Sequence, residues 1–203
     1  ISDYLAIQAE DVAITSLALH YSYGMSVLNS YLCSGATLAL TSDGLVEPEF
    51  WELARHTGTT SLALVPAQFE ILESVGFCKS DLPTLRYITQ AGGRLDPRLG
   101  DKFSEMGLLD GWDLVIMYGQ TEAAPRISYV PPMDLPDCAH TIGRPIPGGM
   151  LWIEDSMGRR ITETETAGEL VYQGTNVMIG YATTRGDIAQ PARPTFLRTG
   201  DIA

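Results

Sequence analysis

The feature that most limits what this chain can become is a regular alternation of short apolar runs with helical patterns over its first two thirds. Residues 12–19 are apolar and β-leaning. Residues 25–33 carry a helical period, with Met25, Leu28 and Leu32 on one face and Gly35 just beyond the end. Residues 37–40 form a short apolar run. Pro48 suits a helix start, where its missing N–H costs nothing; Phe50, Leu53 and Ala54 share a face, and Gly58 suits the stop. A strand over 61–65, a helix over 67–75 and a strand over 85–90 follow. Asp96 then caps a helix that opens on Pro97 and runs to Gly107, and 114–118 is a fifth strand. Repeated strand–helix units with strands this short predict an α/β fold, a parallel sheet flanked by helices.

After Pro125 the pattern fails. Pro131, Pro132, Pro136, Pro145 and Pro147 crowd a stretch with little helical period, and from Met150 short strands are separated by turns at Met157-Gly158 and Gly174-Thr175. The tail is expected to be antiparallel β, a partial barrel or a small sheet. The expected division is an α/β subdomain over 1–130 and a β-rich subdomain over 131–203.

Composition narrows the function classes. Thirteen basic against 25 acidic residues give a net charge of -12, which excludes a bulk basic surface for nucleic acid or anionic lipid but leaves room for a local basic pocket. No apolar run approaches the ~18–20 residues of a membrane span, and no leader-like segment opens the chain. Three scattered cysteines without a C-x-x-C pair fit reduced thiols, so a cytoplasmic location is expected. Three histidines without a metal-ligand spacing argue against structural zinc. The chain opens at Ile1 and stops just after a Thr-Gly-Asp turn, so it is expected to be part of a longer protein.

In open parallel sheets, ligands bind beyond the carboxyl ends of the strands. Here those ends lead into His20-Tyr21-Ser22-Tyr23-Gly24, Pro66-Ala67-Gln68, Ala91-Gly92-Gly93-Arg94 and Tyr118-Gly119-Gln120-Thr121-Glu122. Gly92-Gly93 is either a plain strand-to-helix turn or a close approach to a flat ligand. Tyr118 either belongs to the core or stacks on a base. Thr121 can donate to a phosphate, and Glu122 is either a solvated surface acid or a hard-oxygen ligand for magnesium. Other nucleotide and hydrolase signatures are missing: neither Lys79 nor Lys102 follows a glycine as a phosphate loop requires, no G-x-G-x-x-G opens a helix, and no G-x-S-x-G elbow occurs. Arg185-Gly186-Asp187 is taken as a chance tripeptide.

As a unit, Tyr118-Gly119-Gln120-Thr121-Glu122 resembles the Tyr-Gly-x-Thr-Glu signature of the adenylate-forming (ANL) superfamily, which includes acyl-CoA synthetases, peptide-synthetase adenylation domains and luciferases. Four more segments agree in order and spacing: Ala91-Gly92-Gly93, the run from Ile142 to Gly148, Gly168-Glu169-Leu170 through Asn176-Val177-Met178-Ile179-Gly180-Tyr181, and Arg198-Thr199-Gly200-Asp201. The resemblance implies part of a large N-terminal domain of an AMP-forming acid–thiol ligase. In that chemistry a carboxylate attacks the α-phosphate of ATP, with magnesium, and the acyl group then passes to coenzyme A or to the phosphopantetheine arm of an acyl carrier protein.

By motif match, Tyr118 packs on adenine, Gly92, Gly93 and Arg94 border it, and Gly119 and Gln120 lie at the nucleotide. Thr121 contacts the α-phosphate, Glu122 helps hold magnesium, and Asp201 accepts from the ribose hydroxyls. His20, Tyr23, Gly92 and Met117 line the acyl pocket. The resemblance also places a phosphate loop upstream of Ile1 and a lid domain with a catalytic lysine downstream of Ala203, so this stretch alone is expected to be inactive. Arg94 departs from the small residue common there. Two alternatives stand beside this reading. An amino-acid-activating domain usually carries an acid just after the first strand, where this chain has none before Asp43. A non-catalytic nucleotide-binding homologue would not be expected to keep Tyr118, Thr121, Glu122 and Asp201 together.

Overall fold

The computed structural model describes residues 1–135, 137–190 and 194–203; Pro136, one of the crowded prolines, lies outside them. A short helix α1 (Ser2–Leu5) precedes five strands that alternate with helices: β1 (Val12–Ile14), α2 (Ser22–Cys33), β2 (Thr37–Ala39), α3 (Pro48–His56), β3 (Ser61–Leu64), α4 (Pro66–Val75), β4 (Tyr87–Gln90), α5 (Pro97–Asp110) and β5 (Asp113–Tyr118). The neighbours among these strands pair in parallel, as the alternation predicts; Ser61 stands opposite Tyr87 and Tyr87 opposite Asp113. Two more strands extend the edge, β6 (Ser128–Val130) antiparallel to β5 and the two-residue β7 (Arg144–Pro145), in the order β2-β1-β3-β4-β5-β6-β7.

Both faces of this sheet are covered, and they are covered differently. Leu62, Leu64, Ile88, Leu114 and Ile116 pack with Phe50 and Ala54 of α3, Phe69 and Leu72 of α4, and Leu99 and Phe103 of α5. Each Leu, Ile or Phe among them, fully buried, contributes about 1.5–3 kcal/mol. The alternate residues Ala63, Val115 and Met117 meet Tyr23 of α2, while Ala13 meets Tyr31. On this second face tyrosines bring hydroxyls into the interior, and each is paired: Tyr23 with Thr89 at 2.8 Å, Tyr31 with Tyr87 at 2.6 Å and also with Ser61. Burial pushes the Tyr31 and Tyr87 phenols up, so both stay neutral donors and acceptors.

Three boundaries differ from the sequence expectation by three residues or more. β1 stops at Ile14 instead of continuing to residue 19, because polar side chains take over there: Thr15 Oγ1 donates to the Thr41 carbonyl and Ser16 Oγ to that of Ala63. α2 starts at Ser22, so Tyr23 is in a helical first turn rather than a loop. α5 runs past Gly107 to Asp110 and ends at Gly111.

The chain forms two units, and the division is not a single cut near residue 130. Ile1–Tyr118 with Ser128–Arg144 make the first; Gly119–Ile127 with Pro145–Ala203 make the second. Ser128 belongs to the first because β6 hydrogen-bonds along β5, with Tyr118 opposite Ser128. In the second unit β8 (Met150–Glu154), β9 (Arg160–Ile161), β10 (Glu169–Gln173) and, after a short helix α6 (Arg185–Ala189), β11 (Leu197–Ile202) form an antiparallel sheet in the order β11-β10-β8-β9. Of the two forms expected for the tail, the open small sheet is the one that forms, with no closed barrel among the described residues. Its core is slight, centred on Leu170, Val171, Tyr172 and Leu197. Arg198 ties three strands together, pairing with Glu154 of β8 at 2.5 Å and Glu169 of β10 at 3.1 Å.

Candidate functional site

Parallel strands put all their carboxyl ends on one edge of the sheet, and β1 feeds β2 on one side while β3 lies on the other. In open sheets such a reversal is where a ligand crevice forms, and here it falls at the ends of β1 and β3. In the first unit the loops at this edge lock together. Gln68, in the first turn of α4, donates from Nε2 to the Ser16 carbonyl at 2.9 Å and accepts from the Val65 N–H at 3.0 Å. After β4 the chain turns through Gly92 at φ 85°, a conformation that favours glycine. A Cβ on Gly92 would stand 2.6 Å from the Tyr21 hydroxyl and 3.1 Å from Val65. Gln90, wholly buried as the last residue of β4, donates from Nε2 to the Gly93 carbonyl at 2.8 Å. The turn is therefore pinned from beneath while Gly92, Gly93 and Arg94 remain exposed.

His20 is exposed in the loop after β1, and Tyr118 is half-buried at the end of β5. Tyr23 and Met117 sit deeper, in one buried cluster with Ala91; the Met117 sulfur accepts from the Tyr4 hydroxyl at 3.3 Å.

The rest of the signature belongs to the second unit. Gly119 must be glycine, since a Cβ there would lie 1.9 Å from the Pro125 carbonyl oxygen. Thr121–Ala123 makes a single 3-10 turn. A loop after β10 holds that turn by its backbone: the Met178 N–H donates to the Glu122 carbonyl at 2.8 Å, and Asn176 Nδ2 donates to the carbonyls of Ala123 at 2.5 Å and Arg126 at 2.7 Å. Asn176 is itself oriented by the Tyr172 hydroxyl at 2.7 Å. The same loop reaches the Glu122 side chain, where the Tyr181 hydroxyl donates to Oε1 at 2.6 Å. That bond holds the Glu122 carboxyl below the usual carboxylate range and pushes the Tyr181 phenol up, so Glu122 is ionised at neutral pH. The Gln120 Nε2 is buried and donates to no acceptor among the described residues.

Asp201 is exposed on β11. Its N–H donates to Thr199 Oγ1 at 3.2 Å, Thr199 Oγ1 donates to the Leu170 carbonyl at 2.8 Å, and the Gly200 N–H donates to Glu169 Oε1 at 3.3 Å. The Arg198 clamp thus lies three residues from the carboxylate.

The expected site residues fall in two groups. The first unit carries His20, Tyr23, Gly92, Gly93, Arg94, Met117 and Tyr118; the second carries Gly119, Gln120, Thr121, Glu122 and Asp201. Sequence reasoning gave no site role to Gln90, nor to Asn176 and Tyr181, which it noted only as part of a matched segment. Gln90 had a signal, a polar residue ending an apolar strand just before a glycine pair. Tyr181 had only its place in a Gly-Tyr step, and nothing in the sequence links it to Glu122. Among the described residues no cluster of three or more His, Cys, Asp or Glu is arranged to hold a metal.

The family model of AMP-binding enzymes matches residues 1–182. Indoleacetate–CoA ligase of Aromatoleum aromaticum is 30% identical over 202 residues, which are 98% of this chain and 38% of that protein. Among solved structures VinN matches with a TM-score of 0.80 and 27% identity, over 99% of this chain and 49% of its own; a complex of VinN with L-aspartate also matches. The o-succinylbenzoate CoA synthetase MenE of Bacillus subtilis, in complex with its acyl-adenylate intermediate, has the same fold at a TM-score of 0.82 and 23% identity, over 99% of this chain and 40% of its own. The chain thus spans less than half the length of each of these three relatives.

Proposed function

Because the chain belongs to the family of AMP-binding enzymes, we propose that it is part of a longer ligase that uses ATP to activate a carboxylic acid as an acyl-adenylate and passes the acyl group to a thiol, that of coenzyme A or of a carrier's phosphopantetheine arm. The observation that carries this reading is Glu122: an ionised carboxylate, oriented by a hydrogen bond, on a turn that only Gly119 permits.

The chemical obstacle is repulsion between the acid and the polyphosphate, and magnesium, when bound, offsets that charge. Magnesium is commonly held by one or two carboxylates together with substrate phosphates rather than by a cage of protein ligands. One ionised carboxylate without a surrounding cluster among the described residues fits that mode, and Glu122 is the residue that would hold it. In this reading Thr121 donates to the α-phosphate, and Asp201 accepts from the ribose hydroxyls. Tyr118 packs on the adenine, which the exposed backbone of Gly92 and Gly93, with Arg94, borders. The buried, unmade Gln120 donor is a further reason to expect a polar ligand atom, since such a group costs about 1–3 kcal/mol when left without a partner. His20, Tyr23, Gly92 and Met117 set the acyl pocket. The three cysteines are free thiols, in keeping with a cytoplasmic enzyme, and an acyl carrier protein is the partner if the thiol is not coenzyme A.

In the full-length ligase Asp201→Ala should raise the ATP concentration for half-maximal pyrophosphate exchange about tenfold or more, the size of a lost charge-assisted hydrogen bond. Glu122→Gln should depress the exchange rate and raise the magnesium requirement. Unchanged exchange in both variants would overturn the site. A second reading, activation of an amino acid, is favoured by the likeness to VinN and its L-aspartate complex. Residues 15–24 offer no carboxylate for an ammonium group, and an unpaired buried charge is costly. Pyrophosphate release from matched acids with and without an α-amino group decides between the two, with the acid lacking the amine expected to win.

A further inference from the structure

We infer that Tyr181 is a positioning residue for metal binding: its hydroxyl, 2.6 Å from Glu122 Oε1, aims the carboxylate that would hold magnesium. The inference rests on Glu122 being that carboxylate. A glutamate side chain on a partly exposed turn has several rotamers open to it, and fixing one costs conformational entropy at the moment of binding unless something fixes it beforehand. The loop from Asn176 to Tyr181 does this at two levels. Asn176 and Met178 take the main-chain carbonyls of Ala123, Arg126 and Glu122, which fixes the turn. Tyr181 takes the charged end of the side chain.

The bonds from Asn176 and Met178 go to the carbonyls of the turn, whereas the phenol's bond goes to the side chain. Its contact is not a by-product of core packing, because Tyr181 is 73% exposed and buries little apolar surface. What the hydroxyl adds is direction. A carboxylate offers about four acceptor sites, and a single donated hydrogen fills one of them, leaving the others for a cation while restricting how the group can turn. Residues standing behind a metal ligand typically change affinity by about 10- to 100-fold when removed. An exposed phenol should do less, about three- to tenfold.

The test uses the full-length ligase with α,β-methylene-ATP, a nucleotide it cannot cleave, and manganese as the probe, followed by electron paramagnetic resonance. Tyr181→Phe keeps the ring and removes the hydroxyl, and thermal melting checks that the fold is kept. The expected result is a three- to tenfold weaker manganese dissociation constant, a matching rise in the magnesium needed for half-maximal pyrophosphate exchange, and unchanged affinity for adenosine. In a Glu122→Gln background, Tyr181→Phe should then change nothing further. If Glu122→Gln weakens manganese binding and Tyr181→Phe does not, the inference is overturned while the proposed site stands. If Tyr181→Phe weakens adenosine as much as manganese, Tyr181 is a structural prop and the inference also falls. If Glu122→Gln itself leaves manganese binding unchanged, the reading of Glu122 fails and takes the inference with it.

Discussion

The two units of this chain hold their functional residues by opposite means. The first is built on aliphatic and aromatic burial, with Phe50, Phe69, Phe103, Leu62, Leu64 and Ile88 out of solvent. Its exposed glycine turn follows a wholly buried strand, and Gln90, the last residue of that strand, bonds the Gly93 carbonyl from beneath. The second buries few large side chains and relies on directional polar contacts: Arg198 across three strands, Asn176 and Met178 on the signature turn, Tyr181 on Glu122. Apolar burial is non-directional and tolerant of small shifts, so it suits a scaffold. Hydrogen bonds fix direction but yield little net stability, about 0.5–1.5 kcal/mol each, so they suit groups that must be aimed.

This contrast can be broken, and the largest effect should come from the first unit. Phe69→Ala removes a wholly buried ring from the α4 face and should cost about 3–5 kcal/mol, read from urea denaturation. A loss below about 1 kcal/mol would mean that the first unit does not rest on its core. Next is Gly119→Ala, whose methyl would meet the Pro125 carbonyl oxygen. It should destabilise the second unit by about 1–3 kcal/mol and abolish pyrophosphate exchange together. Retained activity would show that the turn's geometry is not what Glu122 depends on.

A smaller change should follow Glu154→Gln. The buried Glu154 carboxylate accepts from Trp152 Nε1 at 2.7 Å as well as from Arg198, and the variant should lose about 1–2 kcal/mol. Hydrogen exchange should rise in β8, β10 and β11 and stay unchanged in β3 and β4; a uniform rise would erase the distinction between the units. The smallest effect belongs to a surface ion pair of the first unit. Glu73 accepts from Arg98 and Lys102, which lower its carboxyl to about 2 from 4.5. A depressed folded value means that the pair contributes fully above pH 4.5 and is lost as pH falls from there towards 2. Glu73→Gln should therefore lower the denaturation midpoint slightly at about pH 6, and the gap should close towards about pH 2. A gap that stays constant with pH would assign the difference to packing instead of charge.

Much of the first unit is legible from the order of residues alone. Strand–helix alternation points to a parallel sheet because parallel neighbours need a long crossover between them, which the intervening helix supplies, and Pro48, Pro97 and Asp96 mark helix starts by local chemistry. The site residues are legible for a different reason: Tyr118, Gly119, Thr121, Glu122 and Asp201 stand in short contiguous motifs, so a resemblance can find them one segment at a time.

What the sequence does not determine depends on residues far apart in the chain. β1 ends early because Ser16 finds the carbonyl of Ala63, and β6 joins the first unit because Ser128 lies along Tyr118. Tyr181 stands 59 residues from Glu122, and no periodicity or propensity connects them. Local rules act through neighbouring dihedrals and side chains three or four positions apart. A hydrogen bond between a phenol and a carboxylate needs both atoms within about 3 Å, and only the folded chain supplies that distance.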